Sequence, residues 1–379
     1  MKGIHWIILT MTLTASCKDL YRAPVQNPPT GYLVVEGFIN VGGDSTKFTL
    51  SRTTGLDSPY IIPENGAIVS VQSANGSEYP MTEIGGGHYV LGSFPVDLNQ
   101  RYRIYIKTLD GKQYQSDLAD AKITPPIDSI SWAPAGGGIN LYVSTHDASN
   151  KSIYYQWDYV ETWEYATPYI SVVIYLGNYQ FDRRPDSLQF HVCYMTDLSA
   201  NILIGSTAKL SQDILYETPI AFIPYQGVNK LTRRYSVLVK QHVLTKDWYE
   251  WEQRVKKNTE QLGSIFDAQP SDISGNIHNT ADAKETVIGY VGCSSETQQR
   301  RFIARSELPP VSVTTGYEDC MIDTVKNNHD AIAEHFDRGM LTPISPVYNM
   351  NAIVAYTASG PYCVDCRLYG GTTTKPDFW

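Results

Sequence analysis

"YLVVEGFINVGGDSTKFTLSR", residues 32–52, decides the fold class. Two runs of alternating apolar and polar residues are joined by Gly42-Gly43. Val, Ile, Phe and Thr on every second position suit a pleated surface, and a period of two sends one set of side chains to a core face. The unit recurs in "GAIVSVQS" (66–73), "GHYVLGSF" (87–94), "RYRIYIKT" (101–108) and "GKQYQSD" (111–117). Asn65-Gly66, Asn75-Gly76, Gly85-Gly86-Gly87 and Asp110-Gly111 separate these runs. Asn-Gly and Asp-Gly predict type I′ hairpins, with positive φ at both central residues. About seven short strands in about ninety residues predict a β-sandwich over 31–122, similar to immunoglobulin-like or prealbumin-like modules.

Pro125-Pro126 in "ITPPID" breaks the alternation and marks a boundary. Further strands are predicted at "SISWAP" (129–134), "GINLYVSTH" (138–146), "SIYYQWDYVETWEY" (152–165), "YISVVIYLG" (169–177), "PIAFIPY" (219–225) and "RRYSVLVKQHVL" (233–244). The region 177–216 reads as loop-rich. "TKDWYEWEQRVKKNTEQLG" (245–263) then changes period. Trp248, Trp251, Val255 and Leu262 form one helical stripe, Thr245 can cap the start, and Gly263 can end it. Glu250, Arg254, Lys257 and Glu260 make the polar face of this helix, 246–262, which is expected to pack on the second sheet system. "VIGYVGC" (287–293) and "RRFIAR" (300–305) read as later strands, and 326–338 as a short helix. The whole is a mainly β chain. Its second, fibronectin-like sandwich domain spans 126–379 and is elaborated by the helix and a stapled tail.

The first residues, "MKGIHWIILTMTLTASCKDLY", carry one early lysine, an apolar run from Ile4 to Leu13 too short to span a bilayer, and Ala15-Ser16 before Cys17. This order predicts a lipoprotein signal peptide over 1–17 and a lipidated Cys17. Residues 18–30, "KDLYRAPVQNPPT", hold three prolines and read as an extended tether. A net charge of −9 offers no basic footprint, which argues against nucleic acid as a partner. The 27 tyrosines and 7 tryptophans against 10 phenylalanines favour half-wet aromatic surfaces suited to binding.

Catalytic and metal patterns are sparse. His329 and His335 are six apart, unlike a helical i, i+4 pair. Ser206-Thr207-Ala208-Lys209 matches the S-x-x-K spacing of acyl-transfer enzymes without its companion K-T-G element. Asp147, Asn150 and Asp267 lie in loops without an ordered calcium repeat. No catalytic residue, metal site or cofactor is assigned on this basis. Five cysteines remain beyond Cys17. The Cys363-Val364-Asp365-Cys366 doublet supplies only half of a zinc ligand set, and a glycine pair follows it instead of a redox-active helix. Disulfides are the default in an exported protein. Cys320 is expected to pair with one member of the doublet and Cys193 with the other, leaving Cys293 buried and free. Phe378 and Trp379 are expected to bury their rings on the second domain.

The stretches "LVVEGFIN", 233–279 beginning "RRYSVLVKQHVLTKDWYEWEQ", "VIGYVG" and the tail "CVDCRLYGGTTTKPDFW" resemble the Bacteroidota lipoprotein family catalogued as domain of unknown function four-two-four-nine, with the tail the most specific. Lys18-Asp19 is similar to the surface-export signal of such lipoproteins. The resemblance implies an outer-membrane lipoprotein, facing the cell surface and often encoded beside a TonB-dependent transporter. A non-enzymatic accessory or ligand-capture subunit of such a complex is therefore expected. The alternatives are a surface hydrolase acting on glycans or peptides, and a scaffold of outer-membrane biogenesis or adhesin.

Overall fold

The computed structural model describes residues 31–55, 60–260 and 273–379. Cys17, the 18–30 segment, the end of the predicted helix at Leu262 and the loop residue Asp267 lie outside the described residues.

The chain is mainly β. Alternation buries Leu33, Val35 and Ile39 of Leu33–Asn40 and Phe48 and Leu50 of Thr46–Arg52. These strands pair antiparallel and continue through His88–Leu91 to Thr82–Gly85. A second sheet runs from Gln113–Ser116 through Arg101–Lys107 and Ile68–Ser73 to Glu78–Pro80. One core is shared by both sheets, with Leu50, Val71, Ile104 and Tyr114 fully buried in it. The turns differ from the type I′ expectation. Gly66, Gly76 and Gly111 take positive φ, but Asn65, Asn75 and Asp110 do not. The Gly76 amide donates to the Ser73 carbonyl at 3.0 Å, and that of Gly111 to Thr108 at 2.9 Å. This is a type I turn closed by a left-handed glycine. The side chains explain the choice: Asn75 Oδ1 accepts from the Ser77 amide at 3.0 Å and Asp110 Oδ1 from the Lys112 amide at 3.3 Å. Such Asx bonds favour a right-handed conformation over two left-handed residues.

The chain returns to these sheets late. Ile277–Asn279 pairs with Gln113–Ser116, while Val287–Ile288 and Cys293–Ser294 run parallel to Leu33–Asn40. The run read as one strand, 287–293, is thus interrupted, at Gly289, whose φ is +133°. A side chain there would meet the Val35 carbonyl at 2.1 Å.

A second pair of sheets follows Pro125-Pro126. Ile127–Ala135, Gly138–His146 and Ile214–Pro224 form one. Val192–Leu198, Tyr154–Ala166, Arg234–Leu244 and Glu296–Ala304 form the other, with Leu203–Ser206 also paired to Tyr154–Ala166. Tyr155, Trp157, Val239 and Val243 point from this long sheet into a core shared with Ile139, Leu141 and Val143. The Trp157 indole donates to Gln241 Oε1 at 2.7 Å, which satisfies a buried polar edge. Short strands at Gln180–Arg183, Val192–Leu198 and Leu203–Ser206 fill much of the region that read as loop. They are half-exposed and lack clean alternation.

A third, smaller cluster joins the hairpin Val173–Gly177/Gln180–Arg183 to the sheet Asp323–Lys326, Ala352–Ser359, Thr342–Asn349. The helix read at 326–338 is one α-turn, His329–Ile332, continued as a π-turn over Ala333–Asp337. Disulfides Cys193–Cys366 and Cys320–Cys363 join the four cysteines named above, and Cys293 is free and buried. The tail folds back: the Trp379 indole donates to Glu164 at 3.2 Å and packs edge-on against Tyr194 and Phe302. Phe378 stays 43% exposed, with Arg300 stacked on its face at 3.5 Å, so only Trp379 is an inward anchor.

Candidate functional site

The helix Lys246–Glu260, α1, follows directly from the long-sheet strand Arg234–Leu244. The Thr245 hydroxyl accepts from the Trp248 amide at 3.3 Å and so caps its first turn. The apolar stripe turns inward as its spacing predicts: Trp248 is buried, against Gly292 and Tyr290 of the returning segment. A Cβ at Gly292 would lie 2.0 Å from the Trp248 ring, so glycine is needed for this approach. The polar face is less free than the pattern implied, since Glu260 accepts from the Ile202 amide at 2.6 Å.

Between α1, the outer face of the long sheet, Leu33–Asn40 and Tyr290 lies a cavity of about 460 Å³. Gln156 sits opposite His242, and Asp158 opposite Lys240, in the antiparallel register. Directly opposed residues share a sheet face, so these polar groups face away from the Tyr155/Trp157 core. Gly37 opens the facing wall: its φ is +129°, and a Cβ would come within 2.4 Å of the Lys47 carbonyl. Phe38 stacks on His242 with centroids 4.6 Å apart, and Trp248 lies 5.2 Å from the same imidazole. Trp248 and Trp251 are each about 6 Å from Tyr290, at 6.1 and 6.0 Å.

His242 is 3% exposed, and neither ring nitrogen has a hydrogen-bond partner among the described residues. Burial pushes its pKa down to about 3, so the ring is neutral. Gln156 Oε1 is likewise without a partner. Glu252, one turn after Trp248, is 8% exposed and accepts one bond, from the Trp248 indole at 3.1 Å. Burial pushes its carboxyl up to about 7; the indole opposes the shift and the charge of Asp158 adds to it. Asp158 lines the cavity and is exposed to solvent. Desolvation and then Glu296 raise its pKa, with Lys240 opposing. It makes no hydrogen bond or ion pair among the described residues. The local cation is engaged elsewhere, as Lys240 pairs with Glu296 at 3.4 Å. Buried polar groups are nearly always satisfied, so three unsatisfied atoms around one cavity, on His242 and Gln156, need a reason.

A larger hollow of about 570 Å³ lies beside residues 121–126 and 146–152. Its carboxylate is committed: Asp147 accepts from Ser149, Lys151 and Ser152 at 2.7–3.1 Å. Against desolvation, these bonds hold Asp147 well below the usual carboxylate range. Asn150 Oδ1 accepts from the Asp213 amide at 2.8 Å, so both described loop residues considered for calcium have their side chains engaged within the protein. Ser206 Oγ accepts from the Ala208 amide at 3.1 Å, and no bond joins it to Lys209 among the described residues. His329 packs on Tyr179, and its Nδ1 shares a 3.2 Å hydrogen bond with the Tyr179 hydroxyl. Among the described residues no three His, Cys, Asp or Glu side chains gather as a metal site requires. Cys363 and Cys366 bond to different partners, so the doublet is a double staple.

None of the cavity's polar groups was singled out from the sequence. A signal existed. Gln156 and Asp158 alternate with Tyr155 and Trp157, and Glu252 shares a helical face with Trp248.

The profile of the family described as Domain of unknown function (DUF4249) matches residues 18–300. The chain belongs to this family. Every residue lining the cavity falls within the DUF4249 match. The tail 363–379, which carried the most specific part of the resemblance, lies beyond it, as do Cys320 and the sheet Asp323–Lys326, Ala352–Ser359, Thr342–Asn349. No curated protein matches the chain.

Proposed function

We propose that this DUF4249 protein is a non-enzymatic ligand-capture subunit, held at the outer membrane of a Bacteroidota cell through lipidated Cys17 and working with a TonB-dependent transporter. The observation that carries the capture reading is the aromatic-walled cavity with unsatisfied His242 and Gln156 at its back. Its size suits a small molecule, and concave, largely apolar sites with a few polar groups are the usual form of ligand pockets. The anchoring reading is supported by Ala15-Ser16-Cys17 and the proline-bearing 18–30 segment. No described helix is long and apolar enough to cross a membrane. A second reading, glycan hydrolysis, draws on Asp158 and Glu252 sharing one cavity, because glycosidases use two carboxyl groups held in different protonation states.

Cys17→Ala should move the protein from the membrane to the soluble fraction. Pull-down of the tagged wild type in mild detergent should recover a transporter. A Cys17→Ala protein that stays membrane-bound through washing contradicts the anchor, and recovery of no outer-membrane protein contradicts the partnership. Release of reducing ends from glycans, lost in Glu252→Gln, would favour the hydrolase.

A further inference from the structure

Resting on the capture reading, we propose that the cavity takes an organic cation bearing N–H donors, an ammonium or guanidinium group, seated between Asp158 and Gln156 and against the faces of Phe38, Trp248 and Tyr290. The cavity offers acceptors in excess. Asp158 has two oxygens without a donor, Gln156 Oε1 has none, and Glu252 receives one bond. Several donors around it are already used: the Trp248 indole is bound to Glu252, the Trp251 indole donates to the Ile273 carbonyl at 3.1 Å, and Lys240 is paired with Glu296, which leaves the His242 N–H and the Gln156 amide. Free acceptors still outnumber free donors, so a ligand that brings hydrogens suits the site. With both indole N–H groups committed, the ring faces are what remains for a ligand, and aromatic faces attract cations, by more when water is excluded. The chain's net charge of −9 would draw a cation toward the cavity mouth.

Neutral sugars also bring O–H donors, but each hydroxyl seeks a donor in return, and the neutral His242 ring offers one N–H. Two carboxyl groups that pair with neither Lys240 nor Lys47 are better balanced by positive charge from a ligand. The charged and titratable groups around the site are Glu36, Asp44 and Lys47 from the first sheet and its turn, Asp158, Lys240, His242 and Glu296 from the long sheet, Glu252 from α1, and Tyr290 from the returning segment. Lys240, paired with Glu296, and Lys47, exposed beside Phe38, are the positive ones. Entry of a cation would make Glu252 give up its proton to the buffer and leave an ion pair. Because the Glu252 carboxyl is pushed up to about 7, affinity would rise about ten-fold from pH 6 to pH 8.

Calorimetric titration of the full chain tests this, with butylammonium and butylguanidinium as probes and 1-butanol, tetramethylammonium and glucose as controls. Saturable binding of either N–H cation is expected, at least ten-fold tighter than tetramethylammonium, with none for butanol. Asp158→Asn should weaken it at least ten-fold. The Asp158 side chain makes no hydrogen bond or ion pair among the described residues, so that variant should fold, and an unchanged circular dichroism melt checks that it does. Glu252→Gln should abolish the pH dependence. Absence of saturable binding by both N–H cations, or binding unaffected by Asp158→Asn, overturns the proposal. Saturable glucose binding without cation binding overturns the cation class and leaves ligand capture standing.

Discussion

His242 illustrates how one residue exchanges stability for a prepared site. An imidazole 3% exposed with two unpartnered nitrogens is a cost to the fold. The sign of its pH dependence follows from its protonation. The unfolded chain takes up a proton near pH 6.5, while the folded ring stays neutral to about 3, so stability is lost as pH falls from about 6.5. His242→Phe removes that loss. Its advantage over wild type should grow by about 2 kcal/mol from pH 7.5 to pH 5, read by urea denaturation. A pH-independent difference would contradict the buried neutral ring. Glu252 works in the opposite direction. Its folded pKa is raised to about 7, so the stability of its protonated form is full below about 4.5 and lost as pH rises to about 7. Glu252→Gln should therefore gain roughly 3 kcal/mol on wild type between pH 4.5 and pH 8, in the same assay.

At the scale of elements, α1 is where sequence and structure agree most closely and where the reading stopped short. Trp248, Trp251 and Val255 face inward as the 3.6-residue period requires. Glu252 lies on that face too, but a charged residue reads by default as solvated, and the helical period alone cannot show that a carboxyl is buried. The strands behave alike: alternation located Tyr154–Ala166 and Arg234–Leu244, and the opposite face carrying Gln156, Asp158 and His242 reads as ordinary polar exposure until α1 and Leu33–Asn40 cover it. Hairpins were placed correctly, while their turn type depended on Asx side-chain bonds. The late return of 277–294 was not legible, because parallel pairings two residues long leave no period. One contact makes the docking of α1 testable. Gly292→Ala would drive a methyl to 2.0 Å from the Trp248 ring, so the indole must move. The expected cost is about 1–3 kcal/mol in denaturant unfolding, with a shift in tryptophan emission. Unchanged stability would mean that α1 is not seated on this strand.

In the whole molecule, the disulfides tie the tail to the long sheet and to Cys320, which packs against the long-sheet core. The Cys193–Cys366 bond spans 173 residues, and its Cys193→Ser/Cys366→Ser double variant should lose about 2–5 kcal/mol. A non-reducing peptide map should show both bonds, with Cys293 unalkylated until unfolding. Burial pushes that thiol up to about 12. This cysteine economy was readable from the sequence, because a chain expected to be exported, with five thiols besides Cys17 and too few zinc ligands, has few other uses for them. The cavity at the junction of four elements was not, since it exists only once they meet. The account rests on that cavity holding a ligand. Native mass spectrometry of the protein purified gently from its own cells tests this most directly. A small molecule should accompany the wild type and be absent from His242→Phe at equal folding. Wild-type protein that flies alone, or a bound molecule retained equally by the variant, would contradict it.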